Sequence, residues 1–541
     1  MVRKAESDAA MEKRDNEFLK YLCYLYMIAL LVALPLHTGG NYWRLGERKY
    51  ELFQRVSLLC LGCWIVGALL ERIGLAVRRR KEAVPGSGAG RDGRASFSKV
   101  DWAVAGYGVC VLLSALCSGY GRLAWEGYEG WRMGAVAQLM FVGIYFFVSR
   151  RYDGNRIPLY LGEAAVCLVT LFGLLHRLGI DPLGLLAYWS QGDWEYSHML
   201  STLGNINWLC GYYSVALALL AAHYLETERR WAEAFLYVAA LAAFVLLGVQ
   251  GSQGGHLILA VCVILCMSTG WGQTWVRRKM WRLLTGFFLG MSVMGLLMEL
   301  RSSKAAVVED GDVFRQAGWP VWIIGAVVCG AMYFLFVRRG EAAGRLLRRR
   351  GVRAVLICVM AGGIAAAVFY VVVHGIDDEF GSGRGFLWRI SMEGFRQADL
   401  KGMLLGAGPD CYGEEIYGLL GAGTSVWQGT HWDGAVYTNA HNEVLTQLCN
   451  VGILGTVSYL AIFLTGWVRY APWGRRDSEA FAGEGIPGRP EVFDWLGPLA
   501  IAMYGIHSLI SFQQVLNTPL LFLVLGVCEQ RARARRESKE A

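Results

Sequence analysis

Charged residues are scarce in this chain. Asp, Glu, Lys and Arg make up 18% of its 541 residues, 55% are hydrophobic, and the mean hydropathy is +0.35. Soluble domains carry about a quarter charged residues, with apolar runs broken every few positions. A disulfide framework is missing too: of 14 cysteines only Cys411 lies well inside a loop. Cys60-Leu-Gly-Cys63 has redox spacing, but within an apolar helix it is a packing pair, as are Cys262 and Cys266 on one face. There is no HExxH helix, no zinc-type CxxC framework and no internal repeat, and neither a cleavable signal peptide nor an appended soluble domain is expected. These absences exclude a soluble enzyme, a disordered chain and a disulfide-stapled secreted scaffold.

The chain consists instead of about fourteen apolar stretches, most of roughly 17–22 residues and so long enough to cross a hydrocarbon core of about 30 Å. They fall at 18–36, 56–77, 101–117, 133–149, 157–176, 207–223, 234–250, 256–270, 283–299, 320–337, 354–373, 444–468, 494–510 and 518–528. The fold expected is an all-α polytopic membrane protein with about 12–14 transmembrane helices.

The net charge of +8, from 52 Lys+Arg against 44 Asp+Glu, is placed by side. Alternate connections are strongly basic: Arg78-Arg79-Arg80-Lys81, Arg277-Arg278-Lys279, the 338–353 loop and the 531–536 tail. The positive-inside rule then puts both termini in the cytoplasm. Because the charge follows topology, nucleic acid is not an expected partner. The organisation expected is an N-terminal hairpin with a basic inner loop over 1–99, a transmembrane core over 100–373, one large outer loop over 374–443, C-terminal helices over 444–528 and a basic tail over 529–541. Flexible inner linkers are expected at 85–90 and 471–490, and Gly286 and Gly290 predict a close helix contact.

The 374–443 loop holds most of the polar outer sequence, so specific chemistry is expected there. Its stretch 383–395 predicts an amphipathic surface helix with Trp388, Met392 and Phe395 along one face and Arg384 and Arg389 near headgroup level. Leu404-Leu-Gly-Ala-Gly-Pro-Asp410 predicts turns, and the loop ends at Ala440-His441-Asn442-Glu443 where a span begins. A neutral histidine at the aqueous end of a span can accept a proton from a hydroxyl. An outer arginine offers a planar, permanently charged fork to pyrophosphate oxygens. A zinc set of His431, Asp433, His441 and Glu443 competes weakly, since His441 and Glu443 face different sides of a helix.

Arg384…Trp388, Leu-Gly-Ala-Gly-Pro and Ala-His441-Asn442-Glu443-Val-Leu-Thr-Gln-Leu-Cys-Asn-Val-Gly-Ile-Leu-Gly455 together resemble the signature of the O-antigen ligase and polymerase family. Ser201-Thr-Leu-Gly-Asn205-Ile-Asn207 is similar to its G-N-x-N stretch, and Ala124-Trp-Glu-Gly127…Arg132-Met-Gly134 to an outer segment before its fourth or fifth helix. Gly251-Ser-Gln253-Gly-Gly255 sits where the family usually has G-S-R-G. The resemblance spans roughly 100–525, and charge placement puts Arg132, Asn205, Gln253, Arg384 and His441 all outside.

The resemblance implies a GT-C-like glycosyltransferase of the bacterial cytoplasmic membrane. Its donor would be a glycan on undecaprenyl pyrophosphate, attacked at the outer face by a hydroxyl of an acceptor glycan or lipid, among membrane lipids and with no cofactor or metal. His441 would act as base or orient the nucleophile, and Arg384 would stabilise the departing diphosphate. Arg389, Arg132, Gln253, Asn205, Trp388, Asn442 and Glu443 would contribute to substrate binding. Gln253 carries no charge where the family has arginine, so it is either a weaker donor contact or a packing residue between short helices. Trp388, Trp427, Trp432 and Tyr437 are sugar platforms or interfacial anchors. The competing class is a glycolipid transporter or flippase, which would carry charges within its spans. Glu71, Arg72 and Glu163 are the few such residues, read as lying near span ends.

Overall fold

The computed structural model describes residues 17–82, 97–269, 274–306, 317–338, 375–421, 437–471 and 493–540. Within them the chain is mostly helical, and its strands form a two-stranded ribbon pairing Met199–Leu200 with Gly204–Asn205. Nine helices among the described residues are long and apolar enough to cross a membrane. The protein is an all-α, multi-pass membrane protein. Every expected span inside the described residues coincides with a helix; 354–373 lies outside them. Three of these helices are short. Ala135–Arg151 and Gln253–Thr269 have 17 residues each. Leu496–Ser508 has 13, about 20 Å at 1.5 Å per residue, too short to cross alone.

The core sits around Ile206–Glu226, a helix buried along nearly its whole length. Leu496–Ser508 and Arg230–Val249 pack on it. Gly286 and Gly290 let Thr274–Leu300 approach Arg230–Val249 closely: a Cβ on Gly286 would strike the Tyr237 hydroxyl, and one on Gly290 would strike Val245. The expected close contact is therefore present.

Helix ends explain two cations that the charge pattern alone assigns to topology. Lys49, fully buried, donates to the carbonyls of Leu34, Pro35 and His37 at 3.0, 3.0 and 2.7 Å. Lys279, from the Arg277-Arg278-Lys279 cluster, does the same for Tyr224, Leu225 and Thr227 at 2.8, 3.3 and 2.7 Å. The last carbonyls of a helix have no partner within it, and a buried ammonium satisfies three at once. Glu163 differs from expectation. It is buried seven residues into Ile157–Arg177 and holds His223 Nδ1 at 2.8 Å, so it lies inside the helix rather than at its end.

The described part of the 374–443 segment, expected on the outer side, is itself folded. It contains the helices Phe380–Gln397, Leu400–Leu405 and Tyr412–Leu420. The first has left-handed backbone at Gly381, Ser382 and Gly383, so its regular part begins at Arg384. Its buried stripe is Phe386, Leu387, Ile390, Ser391 and Gly394, and Trp388, Met392 and Phe395 lie half-buried along the flank. The helix turns its face by about a third of a turn relative to expectation because its partner is protein, the Tyr412–Leu420 and Glu443–Tyr470 helices, as well as any membrane surface. The linker 85–90, nearly all of 471–490, Cys358, Trp427, His431, Trp432 and Asp433 lie outside the described residues.

Candidate functional site

The Ala-His-Asn-Glu segment folds as a helix start. Asn442 caps Glu443–Tyr470, its Oδ1 accepting from the Leu445 N–H at 3.1 Å. Thr446 Oγ1 accepts from the Ala440 N–H at 3.0 Å and donates to the Asn442 carbonyl at 2.9 Å. Asn439 Oδ1 accepts from the His441 N–H at 3.0 Å, holding His441 in the left-handed region at φ 46°. These bonds fix the histidine backbone and leave its ring free. Glu443 points inward, 2% exposed, accepting from the hydroxyls of Tyr459 and Tyr504. It lines a cavity of about 20 Å³, room for one water, together with Asp410, Gln447, Asn450 and Gln513.

The Leu-Gly-Ala-Gly-Pro-Asp segment lies across the same helix. Ala407 N–H donates to the Cys449 carbonyl at 3.0 Å and Gly408 N–H to the Asn450 carbonyl at 2.9 Å. The helix opens there at Gly452, φ 66° and ψ −172°, a conformation that only glycine adopts at low cost. A Cβ on Gly452 would strike the Leu404 carbonyl, and one on Gly406 the Asn450 carbonyl, so the two motifs meet backbone to backbone. Asp410 extends the contact. Its Oδ2 accepts from the N–H groups of Tyr128 and Met133 at 2.8 and 3.0 Å, wrapping the Gly127–Gly134 loop around one carboxyl. Burial pushes the Asp410 carboxyl up to about 7 despite those donors.

Two further segments join from the other side. Asn205 caps Ile206–Glu226 through the Asn207 N–H at 2.8 Å, and Asn207 Oδ1 accepts from Ser252 Oγ at 2.7 Å. Arg177, fully buried, donates to the carbonyls of Gln250, Ser197 and Ala306 and so anchors the turn that leads to Gln253. Gly254 then lies against His507, whose Cδ2 would be 3.6 Å from a Cβ at 254.

Arg384 reaches the turn that follows His507. Its Nε donates to the Ile510 carbonyl at 3.2 Å and its Nη1 to the Gly381 carbonyl at 2.5 Å. No carboxylate among the described residues pairs with it, and burial holds its proton affinity below the usual arginine range. Arg384 lies within electrostatic reach of both His441 and His507. Burial, reinforced by the Arg384 charge, lowers the His441 pKa to about 4, so the imidazole is neutral at pH 7. The His441 ring makes no hydrogen bond to a described residue and stands edge-on to Phe512, centroids 5.2 Å apart. Phe512 meets Trp131 at 4.7 Å, and Trp131 meets Trp208 at 5.4 Å, giving an aromatic wall beside the histidine.

All five outer segments named from sequence therefore meet at one place. Their individual residues divide. His441 and Arg384 lie within electrostatic reach of each other. Gln253 is exposed at the first position of its helix, which removes the reading of it as a packing residue. Arg132 is committed to Glu47 at 3.0 Å and Glu126 at 3.5 Å, and Arg389 to Asp378 at 2.8 and 2.6 Å. Asn205 and Asn442 spend their side chains as caps. Trp388 packs against Phe380, with its indole N–H buried and unpaired. Sequence reasoning missed Asp410, Asn207 and His507. The first two sit inside motifs already noticed; His507 lies in an apolar helix where nothing local marks it. Among the described residues no group of three His, Cys, Asp or Glu is arranged to hold a metal. No protein-family model matches the chain, and no curated protein matches it.

Proposed function

We propose that this protein is a glycosyltransferase of GT-C-like architecture, resembling O-antigen ligases and polymerases, that moves a glycan from an undecaprenyl-pyrophosphate donor to an acceptor hydroxyl at the outer face of the bacterial cytoplasmic membrane. The observation carrying this reading is the pair at the centre of the site: Arg384, a cation with no counter-ion among the described residues, within electrostatic reach of His441, a neutral imidazole with no hydrogen bond to a described residue. An uncompensated, half-buried guanidinium is stabilised by an anion, and a diphosphate presents several acceptor oxygens to its fork.

In the reaction the acceptor oxygen attacks the anomeric carbon, the bond from that carbon to the diphosphate breaks, and negative charge gathers on the leaving group. Arg384 opposes that charge where it develops. His441 accepts the hydroxyl hydrogen bond through its ring lone pair and takes the proton as the new bond forms. A donor diphosphate offsets the Arg384 charge, which raises the proton affinity of His441 when substrate is bound. Binding of donor thus makes the base stronger. The aromatic wall of Phe512, Trp131 and Trp208 offers apolar faces for sugar rings beside the histidine. An acceptor that is a lipid anchor makes the enzyme a ligase; a second lipid-linked glycan makes it a polymerase.

The test is reconstitution of the purified protein with a lipid-linked oligosaccharide, following whether the glycan leaves its carrier. His441→Ala and Arg384→Ala are each expected to abolish transfer while membrane insertion and expression stay normal. Normal product from either variant rejects the assigned site.

A further inference from the structure

His507 is 2% exposed, yet its ring makes no hydrogen bond to any described residue. Its ring nitrogens are not among the sealed, unpaired polar atoms of the described interior, so they keep a path to water or to a ligand. A polar group that is buried without a partner costs free energy unless something completes it. Its surroundings indicate what would. Ile510, whose N–H donates to the His507 carbonyl at 3.0 Å, gives its own carbonyl to Arg384, so one short turn holds both residues. Against the ring lies Gly254 at the amino-terminal end of Gln253–Thr269, a 17-residue helix whose positive end faces this space. Gln253 stands exposed beside it with no partner for its carboxamide among the described residues. Ser252 satisfies the Gly254 and Gly255 N–H groups, so those two backbone donors are not available to a ligand.

We propose that His507 is a further hydrogen-bond donor to the diphosphate that the function proposed above places on Arg384 and Gln253, and that His441 and the Phe512 side of the site are left to the acceptor. This deepens the function proposed above and rests on it. The two histidines thereby play different parts. His507 donates an N–H to a phosphate oxygen, while His441 accepts from the hydroxyl. Gln253 is an uncharged donor in the same cradle and His507 adds an N–H, so Arg384 is supplemented by hydrogen bonds.

The experiment compares binding of undecaprenyl pyrophosphate and of undecaprenol, identical except for the diphosphate, to the purified protein in nanodiscs. His507→Ala is expected to weaken undecaprenyl pyrophosphate about tenfold, the loss of one hydrogen bond to a charged group, and to leave undecaprenol unchanged. Its KM for the lipid-linked donor rises by a similar factor, with kcat changed far less than in His441→Ala. His507→Gln, which keeps a donor, recovers part of the loss. Gln253→Arg in the otherwise unchanged protein tightens undecaprenyl pyrophosphate, and it does so whether or not the His507 variants fold. Wild-type affinity in folded His507→Ala, with affinity lost in Arg384→Ala, overturns the His507 assignment and leaves the proposed function standing. No change in Gln253→Arg also overturns the subsite. Failure of the wild-type protein to prefer undecaprenyl pyrophosphate over undecaprenol overturns both.

Discussion

His441 carries an ordinary residue into an unusual electrostatic position. A histidine in water titrates near pH 6.5, but here burial and the Arg384 charge together hold it near 4. The neutral form, which has the lone pair needed to accept a proton, therefore persists well below neutrality. The acid limb of kcat/KM, which reports the free enzyme, is expected between about pH 4 and 5. Arg384→Gln is expected to move that limb upward, toward 6.5, while weakening donor binding; a pH profile of transfer in both proteins checks this. Asp410 shifts in the opposite sense. Its folded value near 7 lies above the ordinary carboxyl value of 3.8, so the folded state binds the proton more tightly, and stability falls as pH rises through 7. Asparagine mimics the protonated carboxyl and still accepts from the Tyr128 and Met133 N–H groups. Asp410→Asn is thus expected to gain in Tm relative to wild type between pH 5 and pH 8. Asp410→Ala, which leaves both N–H groups without an acceptor, is expected to lose roughly 2–4 kcal/mol at pH 5. Equal pH dependence of Tm in wild type and Asp410→Asn contradicts the buried-proton reading.

At the scale of elements, the site depends on two backbones that touch. Gly452 opens the Glu443–Tyr470 helix, and Gly406 brings the Leu404–Asp410 segment against the opening. Gly452→Ala forces a side chain into a glycine-only backbone conformation and against the Leu404 carbonyl, with an expected cost of about 3 kcal/mol or more. The Gly127–Gly134 loop, which Asp410 ties to this contact, loosens with it, and thermal unfolding and protease sensitivity of the outer loop both read the change. These glycines are visible in sequence as motif positions, but their purpose is not, because it lies in a contact between segments about 50 residues apart. The helices are legible for a simpler reason: a run of apolar residues long enough to cross a bilayer has few alternatives. The faces are less legible. The 383–395 helix can be read from its pattern, yet its buried stripe sits one position over, since the sequence does not say which neighbour it packs against. Arg132 and Arg389 look like spare cations in sequence because their partners, Glu47 and Asp378, are brought to them only by the fold. His507 is silent, one polar residue in an apolar helix.

At the scale of the whole molecule, the bundle brings five separate polar segments to one place. The positive-inside rule predicts that this place lies on the outer side, with both termini inside. Lys49 and Lys279 serve as helix caps, so part of the basic inventory is structural; enough remains in the connections to keep the orientation rule. A cysteine introduced at Ser190, exposed in the connection before the Ile206–Glu226 helix, is expected to react with a membrane-impermeant thiol reagent in intact cells. One at Arg229, exposed after that helix, is expected to react only once the membrane is opened. The reverse pattern inverts the topology and puts the site in the cytoplasm. The most direct measurement is transfer by the purified protein in proteoliposomes carrying a lipid-linked oligosaccharide. Wild type is expected to move the glycan off its carrier, and His441→Ala, folded and inserted, to do so at about a hundredth of that rate or less. A wild-type protein that leaves the glycan on its carrier with acceptor present, or a His441→Ala variant that transfers at the full rate, would contradict the assignment.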